Sequence, residues 1–253
     1  MLRRRAISQA GSGYKTFAME ITLTSANQTF TMPFTSFGSP SYDCTIYWGD
    51  GTSVNHNTTT APTKTYTGAI GDKFVIEIEG RADRLYFNNG GSKDMVTKIL
   101  SWGGSDFEGF TLKGNAFWGC SNLTELAEGG IKERLPITDF SFCFQNCSSL
   151  TSIPSGLFDN NTSVTNFRSC LQNCIKLQMR SDIFEFGNFL NKNIDWRNFL
   201  ARTSFTGTQG TAPDIWNADY GTGTPNISNP PFGGAGNSTT SLSNYNDIPS
   251  AWK

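Results

Sequence analysis

The chain of 253 residues carries 20 Lys and Arg against 21 Asp and Glu, a formal net charge of −1, and only 16% of its residues are charged. That balance supplies no basic face for neutralising phosphates, which argues against nucleic acid as a partner. No apolar run approaches the roughly 20 residues needed to cross a bilayer, so membrane insertion is not expected. The length allows one large or two small domains, and 26 glycines favour turns and strands over long helices.

Residues 1–15 are expected to form a basic arm, with Arg3, Arg4 and Arg5 in succession. No apolar stretch of about 7 to 15 residues follows, so a secretory signal peptide is not expected. The arginines read either as a solvated terminus or as an arm that docks on a partner.

From Phe17 to about Gly80, apolar and polar residues alternate in short runs: Phe17–Thr24, Thr45–Trp48 and Phe74–Glu79. Period-two alternation rich in β-branched and aromatic residues predicts half-buried strands. Between the second and third runs stands Trp48-Gly49-Asp50-Gly51, and Asp-Gly there predicts a hairpin turn because both residues tolerate positive φ. Asp50 reads as a turn residue bonding its own backbone, with a calcium ligand as the alternative. His56, the single histidine, sits among asparagines with no nucleophile or acid at a recognisable spacing, and reads as an exposed loop residue.

The Trp48-Gly49-Asp50-Gly51 turn, with Lys64-Thr65-Tyr66 and Gly71-Asp72 ahead of the last strand, resembles the PKD-like (polycystic kidney disease-type) domains. Those are immunoglobulin-like β-sandwiches, and the resemblance implies one over residues 16–81.

Beyond residue 81 a repeat takes over. Phe140–Leu150 and Phe167–Leu177 superpose in sequence 27 residues apart, and Ala116–Leu123 joins them at the same spacing through Cys120 and Cys147. A fourth, degenerate copy begins at Trp196, 29 residues after Phe167. A second element, Ile153-Pro154 to Phe158, recurs at Met179–Phe184 and Ala212–Trp216, and Ile248–Trp252 reads as its capping appearance. A period near 27 predicts stacked units, each too small to bury its apolar face alone. The Cys-x-x-Leu-x-x-Ile-Pro grammar, clearest over Phe144–Phe158, is similar to the BspA-type leucine-rich repeats of bacterial surface proteins and gut bacteriophage proteins. The expected architecture is therefore mainly β: an immunoglobulin-like sandwich followed by a short leucine-rich-repeat solenoid over 82–253. Within the solenoid, 82–105 read as its cap and 217–246 as an insertion loop that breaks the period.

Five of the six cysteines, at 120, 143, 147, 170 and 174, fall inside the repeats; the sixth is Cys44. Their positions interchange with apolar residues such as Ala116 and Phe199, which points to packing ahead of zinc or disulfides. No Gly-rich nucleotide motif opens a helix, so no cofactor is expected. Phe140, Phe158, Phe167 and Phe184 read as core. Trp118, Trp216 and Tyr220 fit the repeat less regularly and are the candidate surface aromatics.

With no catalytic constellation in view, the chain is not expected to be an enzyme. The expectation is a bacteriophage virion structural, decoration or fibre protein in multiple copies. Arm and sandwich would dock to other virion proteins, and the repeats would meet a host-surface protein or glycan. The alternative is a bacterial cell-surface adhesin.

Overall fold

The computed structural model describes residues 13–111, 114–184 and 186–253, and the basic arm with Arg3, Arg4 and Arg5 lies outside them. The fold is mainly β, with short 3-10 turns as its helical content among the described residues. Among the described residues eight strands are present: β1 Phe17–Thr22, β2 Thr29–Thr31, β3 Tyr42–Tyr47, β4 Ser53–His56, β5 Thr63–Thr65, β6 Lys73–Ala82, β7 Val96–Trp102 and β8 Phe107–Gly109. Six form an open sheet in which β4, β3, β6, β1 and β7 are antiparallel neighbours and β8 joins β6 in parallel. β2 and β5 form a separate antiparallel pair.

Alternation decides which side of the large sheet is covered. Phe17, Met19 and Ile21 of β1, Cys44 and Ile46 of β3, and Ile76 and Ile78 of β6 are all buried, and Phe17 and Ile46 each lie opposite Ile78. Each such side chain contributes about 1.5–3 kcal/mol by leaving water. The Asp50-Gly51 turn does form a hairpin, closed by Trp48 N–H donating to the Thr52 carbonyl at 3.0 Å. Gly49 is required there: its φ is +80, and a Cβ would come within 2.5 Å of the Val75 carbonyl oxygen. The hairpin's second strand, β4, is nevertheless the polar Ser-Val-Asn-His segment, where apolar alternation gives no signal.

The Val96–Trp102 segment, expected as a solenoid cap, is the last strand of the large sheet, paired with β1. Its other edge meets the first repeat: Ile99 N–H donates to Glu125 O, Thr124 N–H donates to Thr97 O, and Lys98 lies in parallel register with Glu125. Just past the end of β6, Asp83 accepts from both Nε and Nη2 of Arg134 at 2.9 and 2.6 Å, and from Ser41 N–H at 2.9 Å. One buried core runs from Phe17 to Trp252.

Within the repeats, backbone donors of one copy bond carbonyls of the next. Phe117 N–H donates to Cys143 O, Phe144 N–H to Cys170 O, Leu171 N–H to Phe199 O and Leu200 N–H to Pro231 O, at 2.8–2.9 Å. Parallel bridges link Asp139, Asn166, Asp195 and Asn226 in turn. In each of these four residues the side-chain Oδ1 accepts the N–H two residues on, at 2.7, 3.0, 3.1 and 3.2 Å, so these four rungs begin with the same Asx turn. Phe140, Phe167 and Trp196 stack behind the ladder, Phe167 and Trp196 with centroids 4.9 Å apart.

The residues expected as an insertion loop hold a fifth rung. Trp196, Asn198, Leu200 and Arg202 donate to Asn226, Asn229, Pro231 and Gly233, which continues the ladder at a spacing stretched by glycines and prolines. At this rung Pro230 occupies the donor column of Asn115, Phe142, Ser169 and Asn198 and has no N–H to give. The Phe232 N–H is taken by the Trp252 carbonyl at 2.9 Å.

Asp83 and Arg134 tie the two halves, and the Arg134 side chain is 25% exposed. Asp83→Asn is expected to cost about 2 kcal/mol, below the ~3–5 of a fully buried pair. Urea denaturation followed by fluorescence and by circular dichroism should show one shared transition at a lower midpoint; separate transitions would show that the halves unfold independently.

Candidate binding face

Along the rungs, side chains at the Asx turn's end and one or four residues beyond it supply an outward face. Trp118, Phe142, Gln145, Arg168, Gln172 and Arg197 are the half-exposed members of this face. Trp118 stacks on Phe142 at 5.7 Å and 29°, and the Arg168 guanidinium lies over the same Phe142 ring at 5.5 Å. Amides bridge the rungs beside them: Gln145 Nε2 donates to Gln172 Oε1 at 2.7 Å and Asn173 Nδ2 to Asn146 Oδ1 at 3.3 Å.

Two columns of the ladder require left-handed backbone. Gly119, Asn146 and Asn173 have φ of 82, 60 and 59, and Asn115, Phe142, Ser169 and Asn198 have φ of 58, 57, 54 and 55. Asparagine tolerates this region because its short side chain bonds locally, whereas a bulky phenylalanine does not. Holding Phe142 there costs about 1–3 kcal/mol. Sequence reasoning missed Phe142 and Arg168; the available signal was a phenylalanine in a column otherwise filled by Asn and Ser.

Of the expected surface aromatics, Trp118 belongs to this face. Trp216 is half-buried and packs edge-on against Phe232 at 5.9 Å, beside the fifth rung. Tyr220 is a correction: it is 9% exposed, and its hydroxyl accepts from Trp196 Nε1 and donates to Ile215 O, both at 2.8 Å. Burying Trp196 requires an acceptor for the indole N–H, and the tyrosine supplies it.

The cysteines lie behind the face. Cys147 Sγ donates to Phe117 O at 3.3 Å and Cys174 Sγ to Phe144 O at 3.1 Å, so each thiol bonds the preceding copy. Burial pushes the Cys174 thiol up to about 12 and raises Cys120, Cys143, Cys147 and Cys170 as well. These thiols stay protonated at neutral pH.

Elsewhere, Asp50 Oδ1 accepts from Thr52 N–H and hydroxyl, and Lys64 Nζ stands 2.6 Å from Oδ2. Burial opposes its ionisation, but these bonds outweigh it and hold the carboxyl below the usual range. His56 ends β4 and is half-buried, its ring 5.3 Å from Phe34, in place of the exposed loop position expected. It lines an open cleft of about 390 Å³ with Asp43, Thr45, Asn55 and Glu79. Within that lining Thr45 donates to Asn55, Glu79 accepts from Tyr47 beside it, and the Cys44 thiol is pushed up to about 12 by burial.

No family model matches the chain, and neither a curated protein nor a solved structure matches it.

In the native protein none of the six free thiols is expected to react with a thiol reagent at pH 7.5 within minutes, and all six should react in denaturant. A rapid native reaction would contradict the bonded, protonated arrangement.

Burial also opposes ionisation of Asp195, but the Arg197 side chain and backbone N–H prevail and hold it below the ordinary carboxylate range. A depressed carboxyl contributes stability above its unfolded value, about 3.9, and loses it as pH falls through the lower folded value. Thermal melts of Asp195→Asn should therefore show a deficit at pH 7 that shrinks below about pH 4. A deficit constant with pH would place the effect in the Asx turn alone.

Proposed function

We propose that this chain is a non-enzymatic structural and binding protein of a bacteriophage particle. On this reading a PKD-like, immunoglobulin-like sandwich is joined to a leucine-rich-repeat solenoid of BspA type. The basic arm and sandwich dock to other virion proteins, and the repeats meet a host-surface molecule. Supporting the solenoid reading are a spacing near 27 residues and, among the described residues, backbone bonds that run from each unit to its neighbours.

The observation that carries the proposal is the sharing of β7 between sheet and repeats. A strand bonded on one edge to β1 and on the other to the first repeat holds the outward face at a fixed angle to the sheet. A rigid presenter of that kind, in many copies, multiplies weak contacts into avidity.

Virions released from cells that carry the gene should be labelled by antibody against this chain at one repeated position, at a fixed ratio to capsid protein by mass spectrometry. Labelling of cell envelopes with none on particles would replace this reading by the cell-surface adhesin.

A further inference from the structure

We infer that the Trp118–Phe142–Arg168 cluster is a binding subsite for a carboxylated sugar of a host-surface glycan. This deepens the reading of the repeats as a binding element, and it is independent of which particle or cell carries them.

Three observations converge. The first is strain: Phe142 keeps a left-handed backbone at φ 57 in a column where the other copies place Asn115, Ser169 and Asn198. Folding alone favours asparagine at such a site, so the phenylalanine is retained for its ring, which is half-exposed and stacked with Trp118. Strain held against an available remedy is a mark of function.

The second is charge. The Arg168 guanidinium rests on the Phe142 ring and makes no hydrogen bond or ion pair among the described residues, whereas its neighbour Arg197 is paired with Asp195 at 2.5 Å. A guanidinium held flat by stacking presents a fork suited to a carboxylate.

The third is a set of buried polar atoms without partners, on the two residues stacked with Phe142 and on the rungs beside them: Trp118 Nε1, Arg168 Nε, Asn115 Oδ1 and Gln145 Oε1. This set holds both donors and acceptors. Sugar hydroxyls both give and take hydrogen bonds, and a sugar ring's C–H face lies on an aromatic plane. An acidic peptide would satisfy the arginine but would not use the stacked pair with the mixed donors and acceptors beside it.

Isothermal titration of the full chain with short oligogalacturonate, hyaluronan and sialylated oligosaccharides is the test, with a neutral chitin oligomer and a glutamate peptide as comparisons. At least one carboxylated oligosaccharide should bind, with the neutral oligomer and the peptide at least tenfold weaker. Arg168→Gln should weaken binding at least tenfold, and Phe142→Asn should do the same while raising the melting temperature. Because the second variant is expected to be more stable, its lost binding cannot come from misfolding. Failure of all three acidic sugars, equal binding of the peptide, unchanged binding by Phe142→Asn, or a lowered melting temperature for it would each overturn the inference. Antibody labelling of virions is read separately, so a failed glycan and a failed particle assignment are distinguishable.

Discussion

The backbone ladder between copies is the constraint on which the rest of the structure depends. A short extended segment leaves donors and acceptors on both edges, and these must find partners once the segment is buried. In this chain each copy's donors meet the next copy's carbonyls, from Phe117 through Leu200. Because a rung can be satisfied only by a neighbour in register, the spacing of the Asx turns, the identity of the left-handed positions and the stacking of Phe140, Phe167 and Trp196 follow from it. A second track of backbone bonds between copies, from Gln178 to Thr151 and from Thr151 to Thr124, begins on β7 at Thr97, so satisfying β7 on both edges joins two differently built regions without a linker.

The same constraint explains what was legible from the chain. Copies that conserve spacing and residue type, at Ala116, Phe140 and Phe167, announce themselves, and their apolar columns are buried as the pattern requires. The rung at Asn226 was hidden because its apolar signature shrinks to Ile227 and Phe232 amid glycines and prolines, while its partners are carbonyls that any residue can supply. The β4 strand was hidden for a similar reason: the edge of a sheet needs backbone pairing but little apolar surface. Alternation found β1, β3 and β6, where one side of the sheet is buried.

The outward face was the least legible part. Repeat reasoning looks for likeness between copies, whereas Phe142 and Arg168 are conspicuous for departing from it. The aromatics that seemed irregular divided by local chemistry: Tyr220 is consumed in satisfying a buried indole, Trp216 packs beside Phe232, and Trp118 remains on the surface. The cysteines show the opposite economy, since a residue that packs as an apolar group also lends a weak donor to the copy before it.

Pro230 makes the array polar in the way it can lengthen. A duplicated 27-residue unit placed between existing copies would find donors on one side and carbonyls on the other. The same unit placed beyond the Asn226–Gly234 rung would meet a proline in one donor column and, at Phe232, an N–H already bound to Trp252. Changes in the reach of this protein over evolutionary time therefore have their natural site in the interior of the array, where new units carry new side chains onto the outward face while both ends keep their attachments.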